Sequence, residues 1–217
     1  MPDFTLYHGN KNYSSWSLRA WLTLKRTGAE FDEVPFNLGI PGVREMIHHY
    51  SPTAKVPALR HGELIIWDSL AISEYLAETF PQAGLWPTDT AARAFARSVS
   101  AEMHSGFPLL RSHMPMNIRR SCPGKGRVEG IQAELDRIVE IWAQCREQFG
   151  GGGRFLFGNV GIADFMFAPV VARFRTYAVP VDGPAADYAK TIWSMPVMQD
   201  WRAAAEAETG VIPHYDL

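Results

Sequence analysis

The chain is poor in cysteine: Cys122 and Cys145 are the two it carries in 217 residues. So few, so spaced, build neither a disulfide framework nor a zinc site, and His48, His49, His61 and His113 form no pair at metal-ligand spacing. A dominant charge is missing as well. With a net charge of −2 and a pI near 6.4, the chain has no general electrostatic attraction to nucleic acid or to an anionic membrane. Met1-Pro2-Asp3-Phe4-Thr5 has neither the basic start nor the apolar run of a secretory leader, and no segment approaches the length needed to span a bilayer. These absences lead to the expectation of a cytoplasmic protein with no metal, no nucleic-acid partner and no membrane partner. Repeats are absent too, and the one low-complexity tract, Gly150-Gly151-Gly152-Gly153, is not a phosphate loop because no Lys-Ser/Thr follows it at the required spacing.

What is present is the composition of an ordinary globular protein, 47% apolar and 20% charged, in a chain long enough for one large domain or two small ones. Phe4-Thr5-Leu6-Tyr7-His8 alternates as a strand does, and a hydroxyl-rich loop, Asn12 to Ser17, feeds a helix from Leu18 to Thr27 with Gly28 at its C-cap position. Ala29 to Phe36 supplies a second strand, parallel to the first by the crossover rule, and Val43 to Tyr50 a short helix. Lys55 to Ser69 then reads as strand, tight turn at His61-Gly62 and apolar strand, followed by a helix whose start is marked by Asp68 and Ser69.

That last helix start has chemical potential. Unpaired N–H groups and partial positive charge suit the carboxylate of a small peptide-like ligand, and an Asp-Ser pair adds an acceptor for an ammonium and a hydroxyl for the carboxylate. The plain alternative is that the pair only caps its own helix. Val56 is held extended by Pro57, and a cis bond there would present its backbone edge-on.

Phe80 to Asp89, with two prolines and a glycine, reads as a linker, so the domains are expected at 1–80 and 91–217 with residues 81–90 between them. Beyond it strand signals nearly vanish and an all-α bundle is expected. Ala91 to Met114 reads as one long helix bent near Gly106-Phe107-Pro108. Arg127 to Phe149 carries Val128, Ile131, Leu135, Ile138, Val139, Trp142, Cys145 and Phe149 at helical spacing. Ile162–Tyr177, Ala185–Ser194 and Val197–Glu208 complete the set.

Taken in order, these segments resemble the cytosolic glutathione transferases, the serine-type zeta and tau classes above all. The matching stretches are Ser14-Ser15-Trp16-Ser17-Leu18-Arg19, Val34-Pro35-Phe36-Asn37-Leu38, Ser51 to Leu59, Asp68 to Leu76, and Gly161-Ile162-Ala163-Asp164-Phe165. The resemblance implies an α/β thioredoxin-like N-terminal domain that holds glutathione, an all-α C-terminal domain that shapes the second substrate's pocket, and a homodimer. It lays Ser14 on the serine that donates to the glutathione sulfur and Ser15 on the supporting position. Val56 falls on the residue whose backbone pairs with the cysteinyl part, Pro57 on the family's cis proline, Asp68 and Ser69 on the pair that holds the γ-glutamyl end, and Lys55 near the glycyl carboxylate. The loop between Tyr7 and Ser14 is about two residues longer than the zeta pattern, so Asn12, Tyr13 and Ser15 stay open for the sulfur contact. Gly161 stands where the family has a Ser or Thr cap.

The chemistry such a site performs is modest in its demands. A thiol ionises near pKa 8.5, and lowering that by about two units takes roughly 2.7 kcal/mol of preferential thiolate stabilisation. One hydroxyl donating to the anion supplies about 1.5–3 kcal/mol and a helix start about 0.3–1. No metal, general-base histidine or covalent enzyme nucleophile is then needed. The electrophile's pocket is expected from Met103, His104, Phe107, Arg111 and Met114 opposite Tyr13 and Trp16, with Arg173 and Arg175 either reaching the same cleft or solvated, and with Met103, Phe107 and Met114 alternatively plain core. Trp21, Trp142, Trp193 and Trp201 read as core or interface. Three functions remain open on these residues: conjugation of glutathione to a small electrophile, glutathione-dependent isomerisation of a maleyl-type dicarboxylate, and a non-catalytic binding module.

Overall fold

The computed structural model describes residues 3–215, so Met1 and Pro2, which open the segment read as lacking a leader, lie outside the described residues with Asp216 and Leu217. Four strands form one sheet, β1 (Phe4–Gly9), β2 (Phe31–Phe36), β3 (Ala58–His61) and β4 (Leu64–Trp67), in the order β2-β1-β3-β4. β1 runs parallel to β2 with Phe4 opposite Phe31, and antiparallel to β3 with Phe4 opposite His61. All six residues of β1 are buried, the polar ones included, because it is an inner strand covered on both faces. The hairpin turn is Gly62-Glu63, one residue later than expected, with His61 still paired to Leu64. Gly62 has φ of 56°, a conformation glycine adopts without the Cβ penalty.

Three helices accompany the sheet: α1 (Ser15–Thr27), α2 (Val43–His48) and α3 (Ser69–Thr79). α1 begins three residues earlier than its apolar stripe suggested, because Ser14 acts as N-cap and accepts from the Ser17 N–H at 3.3 Å. It ends at Gly28, whose φ of 76° supplies the left-handed C-cap. Together these elements make the thioredoxin-like arrangement.

From residue 90 onward the chain is mostly helical, apart from two single bridges near Phe155–Asn159. The long helix expected from Ala91 to Met114 is broken rather than bent. α4 (Thr90–Ser105) stops where Gly106 turns extended, Phe107 takes the left-handed region at φ 60°, and Pro108 opens α5 (Pro108–His113). A Cβ on Gly106 would lie 2.7 Å from the Glu102 carbonyl, so glycine is required at the break.

α6 (Ile131–Phe149) starts four residues later than its apolar spacing suggested, because Gly130 at φ 82° cannot continue a helix backwards to Arg127. α7 (Ile162–Thr176) is buried almost all round and packs against α1 and α4, which makes it the central helix of this half. α8 (Gly183–Trp193) and α9 (Pro196–Ala207) follow, each opened by a proline in the first turn.

One buried apolar cluster runs from Phe4 and Leu6 through Trp21 to Trp142 and Trp201 and so fastens the helical half to the sheet half. Cys145 is buried on the inner stripe of α6, and neither cysteine is in a disulfide. Gly161 has no side chain to cap α7, but its N–H donates to Asp164 Oδ2 at 2.9 Å while Asp164 Oδ1 accepts from Leu156 N–H at 3.1 Å. Half of a capping box therefore survives without the hydroxyl.

Candidate active site

The heads of α1 and α3 open onto two adjoining cavities that share Trp16, Lys55 and Val56. The first, of about 350 Å³, is lined by Tyr13, Ser14, Ser15, Arg111 and Arg173. The second, of about 440 Å³, is lined by Pro57, Trp67, Asp68, Ser69 and His104. The Val56–Pro57 peptide is cis, and neither the N–H nor the carbonyl of Val56 has a partner among the described residues. Lys55 is exposed at the rim.

At the head of α3, Asp68 performs two tasks. Its Oδ1 accepts from the N–H groups of Leu70 at 2.8 Å and Ala71 at 3.2 Å, and its Oδ2 meets His104 Nε2 of α4 at 3.1 Å. Burial works against ionisation of this carboxyl, but His104 and the two helix N–H groups outweigh it and hold it below the usual carboxylate range. Beside it the Ser69 hydroxyl is buried and has no hydrogen-bond partner among the described residues. Such an orphan is costly unless something in the cavity satisfies it.

The serines heading α1 are held differently from one another. Ser14 donates its hydroxyl to Ser17 Oγ at 2.7 Å, and Ser17 Oγ in turn accepts from the Gly9 N–H at 3.1 Å. Ser15 Oγ accepts from Arg173 Nη2 of α7 at 3.2 Å. Asn12 is fully buried and donates from Nδ2 to Asn117, so it faces away from both cavities. Tyr13 lines the first cavity, its hydroxyl accepting from Arg119 at 3.1 Å.

Three arginines, Arg19, Arg111 and Arg173, converge here, and among the described residues none of them is in a salt bridge with a carboxylate. Arg19 and Arg111 bring their guanidinium carbons to 4.6 and 4.7 Å from the Trp16 ring centroid, and His104 meets the same ring edge-on at 5.2 Å. Arg111 donates to the carbonyls of Met103, His104 and Gly106, and Arg173 to those of Met114 and Pro169. Burial first, and then mutual repulsion, lowers their hold on the proton: Arg173 falls to about 9 and Arg19 moves in the same direction. A guanidinium holds its proton in proteins, so Arg111 and Arg173 make the first cavity attractive to anions.

Of the residues expected at the electrophile's pocket, Tyr13, Trp16, His104 and Arg111 line the cavities. Met103, Phe107 and Met114 do not. They are packed into the main apolar cluster, Met103 from the buried face of α4 and Phe107 and Met114 from the two ends of α5. Arg175 also stays out of the cleft and stacks on Trp193 beside Arg202, while Arg173, two residues earlier on α7, points into it. His61 is half-buried, stacked on Phe4 at 4.1 Å and hydrogen-bonded to Tyr75 at 2.6 Å. Arg44, Met116 and Tyr215 join the first cavity unannounced by any sequence signal, since segments far apart in the chain, α2 for Arg44, bring them there.

Fold and cleft together define a protein with a thioredoxin-like half, a helical half and a cationic cleft between two helix heads. Residues 10–84 match the glutathione S-transferase N-terminal domain and residues 128–207 the C-terminal domain of the same family. Maleylacetoacetate isomerase of Rattus norvegicus is 31% identical over 183 residues, covering 80% of this chain and 79% of the relative. That of Pseudomonas aeruginosa is 31% identical, covering 82% and 84%. The crystal structure of a Burkholderia glutathione transferase homolog with bound glutathione superposes with a TM-score of 0.72 at 26% identity, covering 94% of this chain and 99% of the other. The chain belongs to the glutathione S-transferase family of enzymes, and within it is zeta-like.

Proposed function

We propose that this chain binds glutathione along the second cavity, keeps its thiol ionised beside the serine pair heading α1, and adds it to a small electrophile held in the first. The observation that carries the reading is the buried, unpartnered Ser69 hydroxyl at the head of α3, next to the ionised Asp68. A γ-glutamyl group has a carboxylate for the hydroxyl and an ammonium for Asp68. The open backbone of Val56 suits the cysteinyl peptide unit, and Lys55 the glycyl carboxylate. The glutathione-bound Burkholderia relative supports the choice of tripeptide.

In this reading the thiol's proton passes to solvent, and the serine hydroxyl donates a hydrogen bond to the thiolate that remains. Arg111 and Arg173 add favourable potential for the sulfur anion and orient an anionic electrophile, so that proximity supplies much of the rate. A second reading, reversible addition that isomerises a maleyl-type dicarboxylate, is favoured by those same two guanidinium groups and by the names of the relatives at 31% identity. A cytoplasmic homodimer is proposed with it. No described helix is long and apolar enough to cross a membrane, and the edge strand β4 leaves Leu64 and Trp67 half exposed, as a pairing surface would. The division into domains at 1–80 and 91–217 belongs to the same proposal.

Retention on immobilised glutathione followed by conjugation of chlorodinitrobenzene tests the first reading. Turnover of maleylacetone without net glutathione consumption identifies the second. A chain that is not retained on glutathione contradicts both readings.

A further inference from the structure

Beyond α9 the chain turns back across the molecule. Residues 208–215 leave the helical half, bond to the loop between β1 and α1, and bring Tyr215 to the wall of the first cavity, where its ring centroid lies 6.2 Å from that of Tyr13. The fit against the sheet half is close. A Cβ on Gly39 would meet the Val211 carbonyl at 2.7 Å, and one on Gly210 would meet Asn10 Nδ2 at 3.1 Å. Yet none of residues 208–215 is buried, and Tyr215 is 36% exposed. Hydrogen bonds rather than apolar burial therefore hold this segment, which places it among the parts of a fold that open at low cost.

The bonds converge on the chain that follows α5. Arg119 donates to the carbonyls of Glu208 and Gly210, the latter at 2.8 Å, and from the same Nη2 to the Tyr13 hydroxyl at 3.1 Å. Its guanidinium carbon also lies 5.7 Å from the Tyr13 ring centroid. Asn117 donates to the Tyr215 carbonyl at 3.0 Å, and the Glu208 carboxylate accepts from the N–H groups of Lys11 at 2.7 Å and Asn12 at 3.1 Å. One guanidinium thus ties the root of the segment to the ring that faces its tip, a task for a planar fork of five donors that a lysine ammonium does not reproduce.

We propose that residues 208–215 are a strap closing one side of the first cavity, that Tyr215 selects for flat aromatic or conjugated groups on the glutathione sulfur over small aliphatic ones, and that Arg119 is the positioning residue that holds Tyr215 and Tyr13 face to face across the pocket. The proposal rests on the reading of the first cavity as the electrophile's side and extends it by naming the class of electrophile. Two tyrosine rings offer broad apolar area with few rotamers to freeze, which suits them to grip a flat group.

The test uses the full chain and needs no turnover: the dissociation constants of glutathione, S-methylglutathione and S-benzylglutathione are measured by calorimetry. Wild type is expected to bind the benzyl conjugate more tightly than the methyl one. Tyr215→Ala is expected to weaken the benzyl conjugate by about fivefold while the other two stay within about twofold, and Tyr215→Phe, which keeps the ring, to restore most of the preference. Arg119→Gln is expected to lower the same preference in the wild-type background and to add little in the Tyr215→Ala background, because a residue acting through another shows non-additive effects. Arg119→Lys should fall between and serves if the Gln variant does not fold. A benzyl-to-methyl ratio untouched by Tyr215→Ala overturns the proposal, as does an Arg119 effect that is absent or fully additive. Wild type that binds glutathione but shows no preference for the benzyl conjugate overturns the strap's role alone, whereas wild type that binds none of the three removes the glutathione site and the proposal with it.

Discussion

His104 on α4 and Asp68 at the head of α3 meet at 3.1 Å, so that one carboxylate both caps a helix of the sheet half and clasps a helix of the other half. The first oxygen is spent on N–H groups and the second on imidazole, which fixes the carboxylate plane at the rim of the second cavity. An acceptor so oriented is suited to a ligand ammonium.

Asp68→Ala is accordingly expected to do two separable things. Loss of the cap should destabilise the fold by about 1 kcal/mol, read by urea unfolding. Loss of the acceptor should weaken glutathione binding by about tenfold, the 1.4 kcal/mol of a charge-assisted bond. An unaltered dissociation constant would reduce Asp68 to a helix cap.

Gly126 tests how the cleft's floor is held. Its φ is +73° and a Cβ there would lie 2.3 Å from the His113 carbonyl and 2.7 Å from Met114 Cγ, at the end of α5. Gly126→Ala should destabilise by more than about 2 kcal/mol, since strain and a backbone clash combine. The Met114 carbonyl grips Arg173, so the variant should also lose turnover in whatever fraction remains folded. Wild-type stability on urea titration would contradict the packing described.

Ala178 offers the opposite sign. It is exposed with φ of 49°, a conformation costing an L residue about 1–2 kcal/mol that glycine does not incur, offset by glycine's greater chain entropy. Ala178→Gly is expected to stabilise by up to about 1 kcal/mol in the same assay, and a clear loss of stability would show that the methyl group matters more than the strain.

Much of this was legible in the residues, and what was not has identifiable causes. The order β-α-β-α-β-β-α followed from local signals: turn glycines, capping residues and a change of hydrophobic period. The Asp68-Ser69 helix start followed from side-chain chemistry alone. Gly106-Phe107-Pro108 was visible as a disturbance, but the left-handed turn at Phe107 depends on burying its ring, which no local propensity reports. Gly130 was a readable stop that the apolar stripe from Val128 overrode. Arg173 could not be told from Arg175 without knowing which side of α7 faces α1, and that is set by packing across about 158 positions of chain, the separation of Arg173 from Ser15.

Acid should reach the fold partly through Glu33 on β2. Burial opposes its ionisation, but His8 at 3.2 Å, Lys11 at 2.6 Å and the Trp21 N–H at 3.0 Å outweigh burial and hold it far below its ordinary value of 4.5. The unfolded chain then binds the proton first as pH falls, so this contribution is complete above about pH 4.5 and is lost progressively below it. The stability gap between wild type and Glu33→Gln, measured by urea unfolding from pH 7 to pH 3, should narrow over that lower range. A gap independent of pH would assign the residue's contribution to shape rather than charge.

The most direct test of the whole account is a crystal structure of the chain grown with glutathione. The account predicts the γ-glutamyl carboxylate on Ser69, its ammonium on Asp68, and the sulfur within about 3.5 Å of a hydroxyl at the head of α1. Glutathione absent from the cleft, or bound with its sulfur turned away from Ser14 and Ser15, would contradict it.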